Sequence, residues 1–266
     1  MINVAILGVS GRMGRCLVRT VREAQDLSLC GALASDSSPT LGRDAGDVAE
    51  TGPVGVAVTA DRAVALDGAD VAIDFTLPAA AMANLEAAAA RGVPVVIGTT
   101  GLDETCHAAI RRLSHDLPVL VAPNMSLGVN LLFSLVAKAS AALGDDYDIE
   151  ILDAHHRNKV DAPSGTALRI AEIAAGARGR TLADVGLYTR AGQTGPRPRG
   201  AIGFAVMRGG DIVGEHRVLY AGTGESLEIS HRASDRMTFA YGAAAAARWI
   251  IGRPPGVYGM VDVLDV

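Results

Sequence analysis

The stretch Val4-Ala5-Ile6-Leu7-Gly8-Val9-Ser10-Gly11-Arg12-Met13-Gly14-Arg15 decides the fold class. A short apolar run, Ile2–Leu7, stops at a glycine, glycines recur at every third position, and a helix-like segment, Arg12–Ala24, follows. Glycine at the turn admits a positive φ, and glycine three residues on lets backbone N–H groups approach a pyrophosphate. The helix start adds its partial positive charge. The pattern predicts the first βα unit of a dinucleotide-binding domain, although Ser10 sits where the middle glycine of GxGxxG would be. Arg12 stands where it could meet a phosphate. The plain alternatives are a structural βα turn and an ordinary solvated helix arginine.

Downstream, Leu27–Ala34, Val54–Thr59, Val71–Phe75, Val93–Ile97 and Pro118–Ala122 read as strands, with helices over Ala79–Ala90 and Asp103–Ser114. Strands alternating with helices of roughly 10–15 residues predict βαβ units and a parallel sheet. An acid that would hold an adenosine ribose is expected at the end of the second strand, where this chain reads Ala32-Leu33-Ala34-Ser35-Asp36. No acid ends the strand and no arginine follows it, so the choice between NADH and NADPH stays open.

After Asn124 the pattern changes. Val129–Leu143 reads as an amphipathic helix, Tyr147–Ala154 as a strand and Thr166–Ala177 as a helix. Ala201–Arg208, Ile212–Leu219 and Ser226–His231 read as three strands joined by Gly209-Gly210-Asp211 and Gly222-Thr223-Gly224, which predicts successive antiparallel hairpins. Gly192–Gly200, with three Gly and two Pro, is expected to be a mobile surface loop. Met237–Ile251 is a final helix. The expected architecture is α/β: a Rossmann-like parallel-sheet domain from residues 1–126 and 236–266, plus an α+β domain with a mixed sheet from 127–235.

Composition narrows the function classes. With 24 Lys+Arg against 29 Asp+Glu the formal charge is −5, which argues against a nucleic-acid partner. No window approaches the ~18 consecutive apolar residues of a membrane span, and the N-terminus lacks a basic signal region. The three cysteines show no ligand or disulfide spacing. A cytoplasmic protein with no membrane or metal partner is expected. Of the basic residues only Lys138 and Lys159 are lysine.

That rarity draws the eye to Glu150-Ile151-Leu152-Asp153-Ala154-His155-His156-Arg157-Asn158-Lys159-Val160-Asp161-Ala162-Pro163-Ser164-Gly165-Thr166-Ala167. His155 and Lys159 are four apart, which places them on one face of either a strand or a helix. A histidine and an ammonium there make a proton-transfer pair. The N–H groups of Ser164, Gly165 and Thr166, at the next helix start, are expected to form a carboxylate site. A zinc site is poorly supported, because adjacent histidines without cysteine partners lack ligand spacing. The plainer readings are a hydrogen-bonded core histidine and a solvated lysine.

These segments resemble the 4-hydroxy-tetrahydrodipicolinate reductase (dihydrodipicolinate reductase) family almost end to end. Gly8–Arg15 resembles its cofactor loop, Asp74-Phe75-Thr76 and Gly98-Thr99-Thr100-Gly101 the next two loops, and Ala122–Asn130 its domain junction. Glu150–Ala167 resembles its signature, and Gly209–Glu215 with Ser234–Phe239 its C-terminal part. The resemblance implies a reductase that uses NADH or NADPH on a cyclic imine dicarboxylate in lysine and diaminopimelate biosynthesis. It implies that His155 is proton donor and acceptor, Lys159 a proton donor, and His156, Gly165 and Thr166 substrate ligands. It further implies that Gly8, Val9, Ser10, Gly11, Arg12, Met13, Gly98, Thr99, Thr100, Ala122, Pro123, Asn124 and Met125 line the cofactor site. A homotetramer assembled through the second domain's sheet is likewise implied. The chain departs from the family at Ala34 and Ser35, which stand where the family has an acid and an arginine, so 2′-phosphate recognition is expected to be weakened.

Two other readings compete. A semialdehyde dehydrogenase would need a nucleophilic cysteine near a histidine. A nucleotide-binding redox sensor would keep the glycine loop but has no use for the His155–Lys159 segment.

Overall fold

Ile2–Leu7 forms β1, whose alternate residues feed two cores. Val4 and Ile6 pack on one side of the sheet with Leu17, Leu120 and Ala243, while Ala5 and Leu7 pack on the other with Leu85, Val95 and Ile110. A strand buried on both faces must be apolar throughout, which is why it reads as a run rather than an alternation. The computed structural model describes residues Met1–Val266 and resolves into two units. The first comprises Met1–Leu127 and Arg236–Asp265, the second Gly128–Asp235 and Val266.

In the first unit β1 is joined by β2 (Leu27–Leu33), β3 (Val58–Thr59), β4 (Val71–Asp74), β5 (Val95–Ile97), β6 (Pro118–Val121) and β12 (Gly256–Tyr258). All pair in parallel, in the order β12-β6-β5-β4-β1-β2-β3. The helices are α1 (Arg12–Glu23), α2 (Ala45–Val48), α3 (Arg62–Ala65), α4 (Pro78–Ala89), α5 (Glu104–Leu113), α9 (Met237–Ile250) and α10 (Met260–Leu264). The chain leaves β1 toward β2 on one side and returns to β4 on the other. The strand order therefore reverses at the carboxyl end of β1, where Gly8–Gly11 lies, and such a switch point leaves a crevice. Alanine lets α9 seat closely: Ala240, Ala243, Ala244, Ala246 and Ala247 are buried, and a Cβ at Gly242 would fall 1.7 Å from the Met125 carbonyl oxygen.

The second unit holds α6 (Leu127–Leu143, its first residue in the first unit), β7 (Asp148–His155), α7 (Gly165–Ala177), α8 (Leu182–Val185), β8 (Gly186–Leu187), β9 (Ile202–Arg208), β10 (Gly214–Ala221) and β11 (Ser226–Ala233). Its sheet is mixed, in the order β11-β10-β7-β9-β8. Here the expected chain of hairpins is corrected. β10 and β11 form one, but β9 and β10 do not pair, because β7 lies between them, parallel to β9 and antiparallel to β10. The Gly209–Asp211 turn crosses the end of β7, with Gly209 N–H donating to the His155 carbonyl and Arg157 N–H to that of Gly210.

Three further expectations need adjustment. β3 shrinks from Val54–Thr59 to two residues, and β12 and the one-turn helices went unpredicted. Gly192–Gly200 is coil, yet Arg197 anchors it by donating to the carbonyls of Ile149 and Ala201 and pairing with Glu150. Leu127–Asp146 is long and apolar enough by length and composition to cross a membrane. It carries Asn130 and Lys138, so no unbroken apolar run exists. Its Leu132 and Val136 pack on Ile149, Ile151 and Val218, and Tyr220 donates to the Val136 carbonyl.

Candidate active site

In the first unit Gly8 takes φ +93°, the left-handed conformation that favours glycine. A Cβ at Gly14 would lie 2.2 Å from the Gly8 carbonyl oxygen, so this glycine lets α1 pack against the turn. The N–H groups of Gly8 and Val9 donate to the Leu33 carbonyl and that of Gly11 to Gly8, leaving those of Ser10, Arg12 and Met13 for an anion. Beside the turn is a hollow of about 450 Å³ lined by Gly8, Ser10, Gly11, Ala34, Ser35, Asp36, Arg62 and Asn84, among others. A second, of about 350 Å³, is lined by Met13, Gly98, Thr99, Thr100, Pro123, Asn124 and Met125. Phe75 and Thr76 border both. Bare glycine backbone, unpaired N–H groups and two adjoining hollows fit a dinucleotide. Of the expected lining residues, Val9 and Ala122 instead bury their side chains in the core, and Arg12 is exposed.

Asp74, which sequence reading noted only as part of a motif, organises this rim. Its buried carboxylate accepts from the Thr76 backbone N–H (2.7 Å), the Thr76 hydroxyl (2.6 Å) and Asn84 Nδ2 (2.8 Å). Burial pushes its carboxyl above the ordinary carboxylate range, against those hydrogen bonds. Asn84 in turn accepts from Arg62 Nε at 2.7 Å.

In the second unit the mixed sheet assembles a polar cluster on one face. Cross-strand register sets Asp153 opposite His216 on β10 and His155 opposite Arg208 on β9. Asp153 is fully buried. Its Oδ1 lies 2.9 Å from His155 Nδ1, within ion-pair distance though off the line of a good hydrogen bond, and 3.5 Å from His216 Nε2. Its Oδ2 accepts from Arg208 Nη2 at 3.0 Å and from the Ser164 backbone N–H at 2.8 Å. Burial raises this carboxyl, but the histidines and Ser164 outweigh it and hold the group well below the ordinary range. The His155 and His216 rings meet edge to face at 5.3 Å.

Ser164 caps α7, accepting from Ala167 N–H at 3.2 Å, and its hydroxyl lies 3.2 Å from His216 Nε2. The carboxylate-site expectation is corrected here: the Ser164 N–H is taken by Asp153; of the next two residues at the helix start, Gly165 is exposed and Thr166 half-buried. Lys159 is not paired with His155. Its Nζ lies 2.8 Å from Asp161 Oδ1, and its N–H donates to the His156 carbonyl in a turn. The ammonium keeps the Asp161 carboxyl low. Asp153, His155 and His216 also place ligand atoms within 4.8 Å of one another, as a cation would require, but Oδ2 is already neutralised by the Arg208 guanidinium. Sequence reading assigned no role to Asp153, His216 or Arg208. Their only signal was the density of charged and imidazole groups beside glycine turns.

Burial pushes Cys30 up to about 11 and raises Cys106 as well, which opposes thiolate chemistry.

Comparison with known proteins bears on this arrangement. Family profiles described as "Dihydrodipicolinate reductase, N-terminus" and "Dihydrodipicolinate reductase, C-terminus" match residues 2–125 and 128–264. The 4-hydroxy-tetrahydrodipicolinate reductase of Anaeromyxobacter dehalogenans strain 2CP-1 is 51% identical over 266 residues, covering 100% of this chain and 98% of the relative. The enzyme of that name from Thiobacillus denitrificans is 53% identical over 265 residues, covering 100% and 99%. Among solved structures, a dipicolinate-bound dihydrodipicolinate reductase from Paenisporosarcina sp. TG-14 superposes with TM-score 0.77 at 23% identity, covering 98% of each chain, which supports the fold. Profiles spanning both units, and relatives about half identical over the whole length, show that this chain belongs to the dihydrodipicolinate reductase family.

Proposed function

We propose that the chain reduces 4-hydroxy-tetrahydrodipicolinate to tetrahydrodipicolinate, a step of lysine and diaminopimelate biosynthesis, with a pyridine nucleotide giving the hydride, a proton taken up and the 4-hydroxyl leaving as water. The observation that carries this reading is one carboxylate, Asp153, joined on one side to His155 and on the other to the start of α7. It couples a proton-carrying ring to an anion-binding helix terminus, as a dicarboxylate substrate requires.

The first unit is the dinucleotide-binding part. The N–H groups of Ser10, Arg12 and Met13 take the pyrophosphate, the hollow at Ala34–Asp36 takes the adenosine, and Gly98–Thr100 with Pro123–Met125 take the nicotinamide end. Bound NADH or NADPH supplies the hydride. The second unit binds substrate: Gly165 and Thr166 clasp one carboxylate and His156 contributes a further contact. His155 donates and accepts the proton, and Lys159, held by Asp161, is the second proton donor. Ala34 and Ser35 carry no charge and Arg62 is held by Asn84, which supports the absence of a strong NADPH preference. The second unit supports assembly into a homotetramer, since the outer face of its sheet leaves Met207 about half exposed and Leu152 and Leu219 partly exposed beside Arg217 and its partners Glu215 and Glu228.

A coupled assay tests the reading. The condensation product of pyruvate and aspartate semialdehyde is supplied and oxidation of NADH and of NADPH is followed. Substrate-dependent oxidation is expected, and its absence with both cofactors rejects the function.

A further inference from the structure

We infer that Asp153 is the positioning residue for proton transfer: it fixes which nitrogen of His155 works and locks that ring to the helix start that receives the substrate. The inference rests on His155 being the proton carrier proposed above. Three observations support it. Asp153 Oδ1 faces His155 Nδ1 at 2.9 Å, and a carboxylate there holds a proton on Nδ1 and turns Nε2 toward the reaction. Asp153 Oδ2 accepts the Ser164 N–H at 2.8 Å, so a shift of the carboxylate moves the ring and α7 together. Arg208 closes the arrangement from the neighbouring strand, binding Oδ2 at 3.0 Å and the Asp161 carbonyl at 2.7 Å. Through that carbonyl the guanidinium reaches the segment that holds Lys159. The carboxylate thus stays ionised although fully buried, and a charge in such a place is kept only where its partners are fixed.

His216 marks the limit of the role. It shares Oδ1 at 3.5 Å and touches the Ser164 hydroxyl, so it buttresses the carboxylate from β10.

The test compares Asp153→Asn, Asp153→Glu, His155→Gln and the double variant Asp153→Asn/His155→Gln, together with imidazole nitrogen NMR of the unaltered protein. An asparagine amide facing Nδ1 favours the opposite tautomer, so Asp153→Asn is expected to lower kcat by about 10²-fold or more, well beyond any rise in KM. Asp153→Glu restores a carboxylate and is expected to recover turnover to within about tenfold of the unaltered enzyme. In the His155→Gln background, Asp153→Asn is expected to change kcat by less than about threefold, because residues that act as a unit are not additive. The spectrum is expected to show the His155 signal, identified by its loss in His155→Gln, with its proton on Nδ1. Full turnover in His155→Gln overturns the reading of His155 as proton carrier, on which this inference rests, while the reductase activity itself stands. An inactive His155→Gln alongside normal kcat in Asp153→Asn, or an Nδ1 without a proton, overturns the role of Asp153 and leaves that reading intact. Should Asp153→Asn fail to fold, the spectrum of the unaltered protein decides.

Discussion

A Cβ at Gly214 would come within 3.2 Å of His155 Nε2, the ring nitrogen that Asp153 does not engage. The bare backbone of β10 therefore leaves room for the working nitrogen. An added methyl must displace the ring by a few tenths of an ångström, and small misplacements of reacting groups are costly. Gly214→Ala is expected to lower kcat by about tenfold while the cofactor Kd stays unchanged. Unaltered turnover would show that Nε2 does not need this space.

His155→Ala and Lys159→Ala are each expected to lower kcat by about 10²-fold or more with the fold intact by circular dichroism. Lys159→Arg is expected to fail to rescue, because the guanidinium keeps the pairing with Asp161 but does not release its proton. Near-normal turnover in both alanine variants would remove the assigned roles.

The choice of cofactor is expected to be weak. With Ala34 and Ser35 uncharged and Arg62 tethered by Asn84, the Kd values for NADH and NADPH should lie within about tenfold, ~1.4 kcal/mol. A fluorescence titration showing a greater NADPH preference would mean that another group receives the 2′-phosphate.

Gly14→Ala tests the close packing of the glycine turn. Its Cβ would fall 2.2 Å from a carbonyl oxygen, and overpacking of this kind costs about 1–3 kcal/mol. A drop of several degrees in Tm is expected, together with weakened cofactor binding. Unchanged Tm would mean that the turn relaxes freely.

Acid stability should depend on the pair that joins α9 to the residue preceding β2. The Arg248 side chain, donating to both oxygens of Asp26 at 2.6 and 2.7 Å, lowers that carboxyl from 3.8 to about 2. Because the folded value lies below the unfolded one, the contribution is full above about pH 4 and lost as pH falls through about 2. Arg248→Gln is expected to flatten the pH dependence of the urea midpoint in that window. An identical slope would show that the pair is broken in solution.

The parallel half was legible because each of its signals is local. Val4–Leu7 with Gly8 states a buried strand and its turn, and Gly92 and Gly98 punctuate the next units. The order of the mixed sheet was not legible, because Gly209-Gly210-Asp211 looks the same whether it joins neighbours or spans an intervening strand. That ambiguity concealed the site's interior: Asp153, His216 and Arg208 converge only once β7 separates β9 from β10. The spacing of His155 and Lys159 suggested one face, yet the turn after β7 gives Lys159 to Asp161. Three-residue β12 pairs only with β6, so its strand character comes from tertiary contact rather than from its own sequence.

The most direct measurement follows the transferred atom. Reduced nicotinamide carrying deuterium at the transferable C4 position is supplied with the condensation product of pyruvate and aspartate semialdehyde, and the ring product is weighed by mass spectrometry. The expected product is a tetrahydrodipicolinate carrying one deuterium, formed by the unaltered enzyme and at least about 10²-fold more slowly by His155→Ala. A product without deuterium, or equal rates for the two proteins, would contradict this expectation.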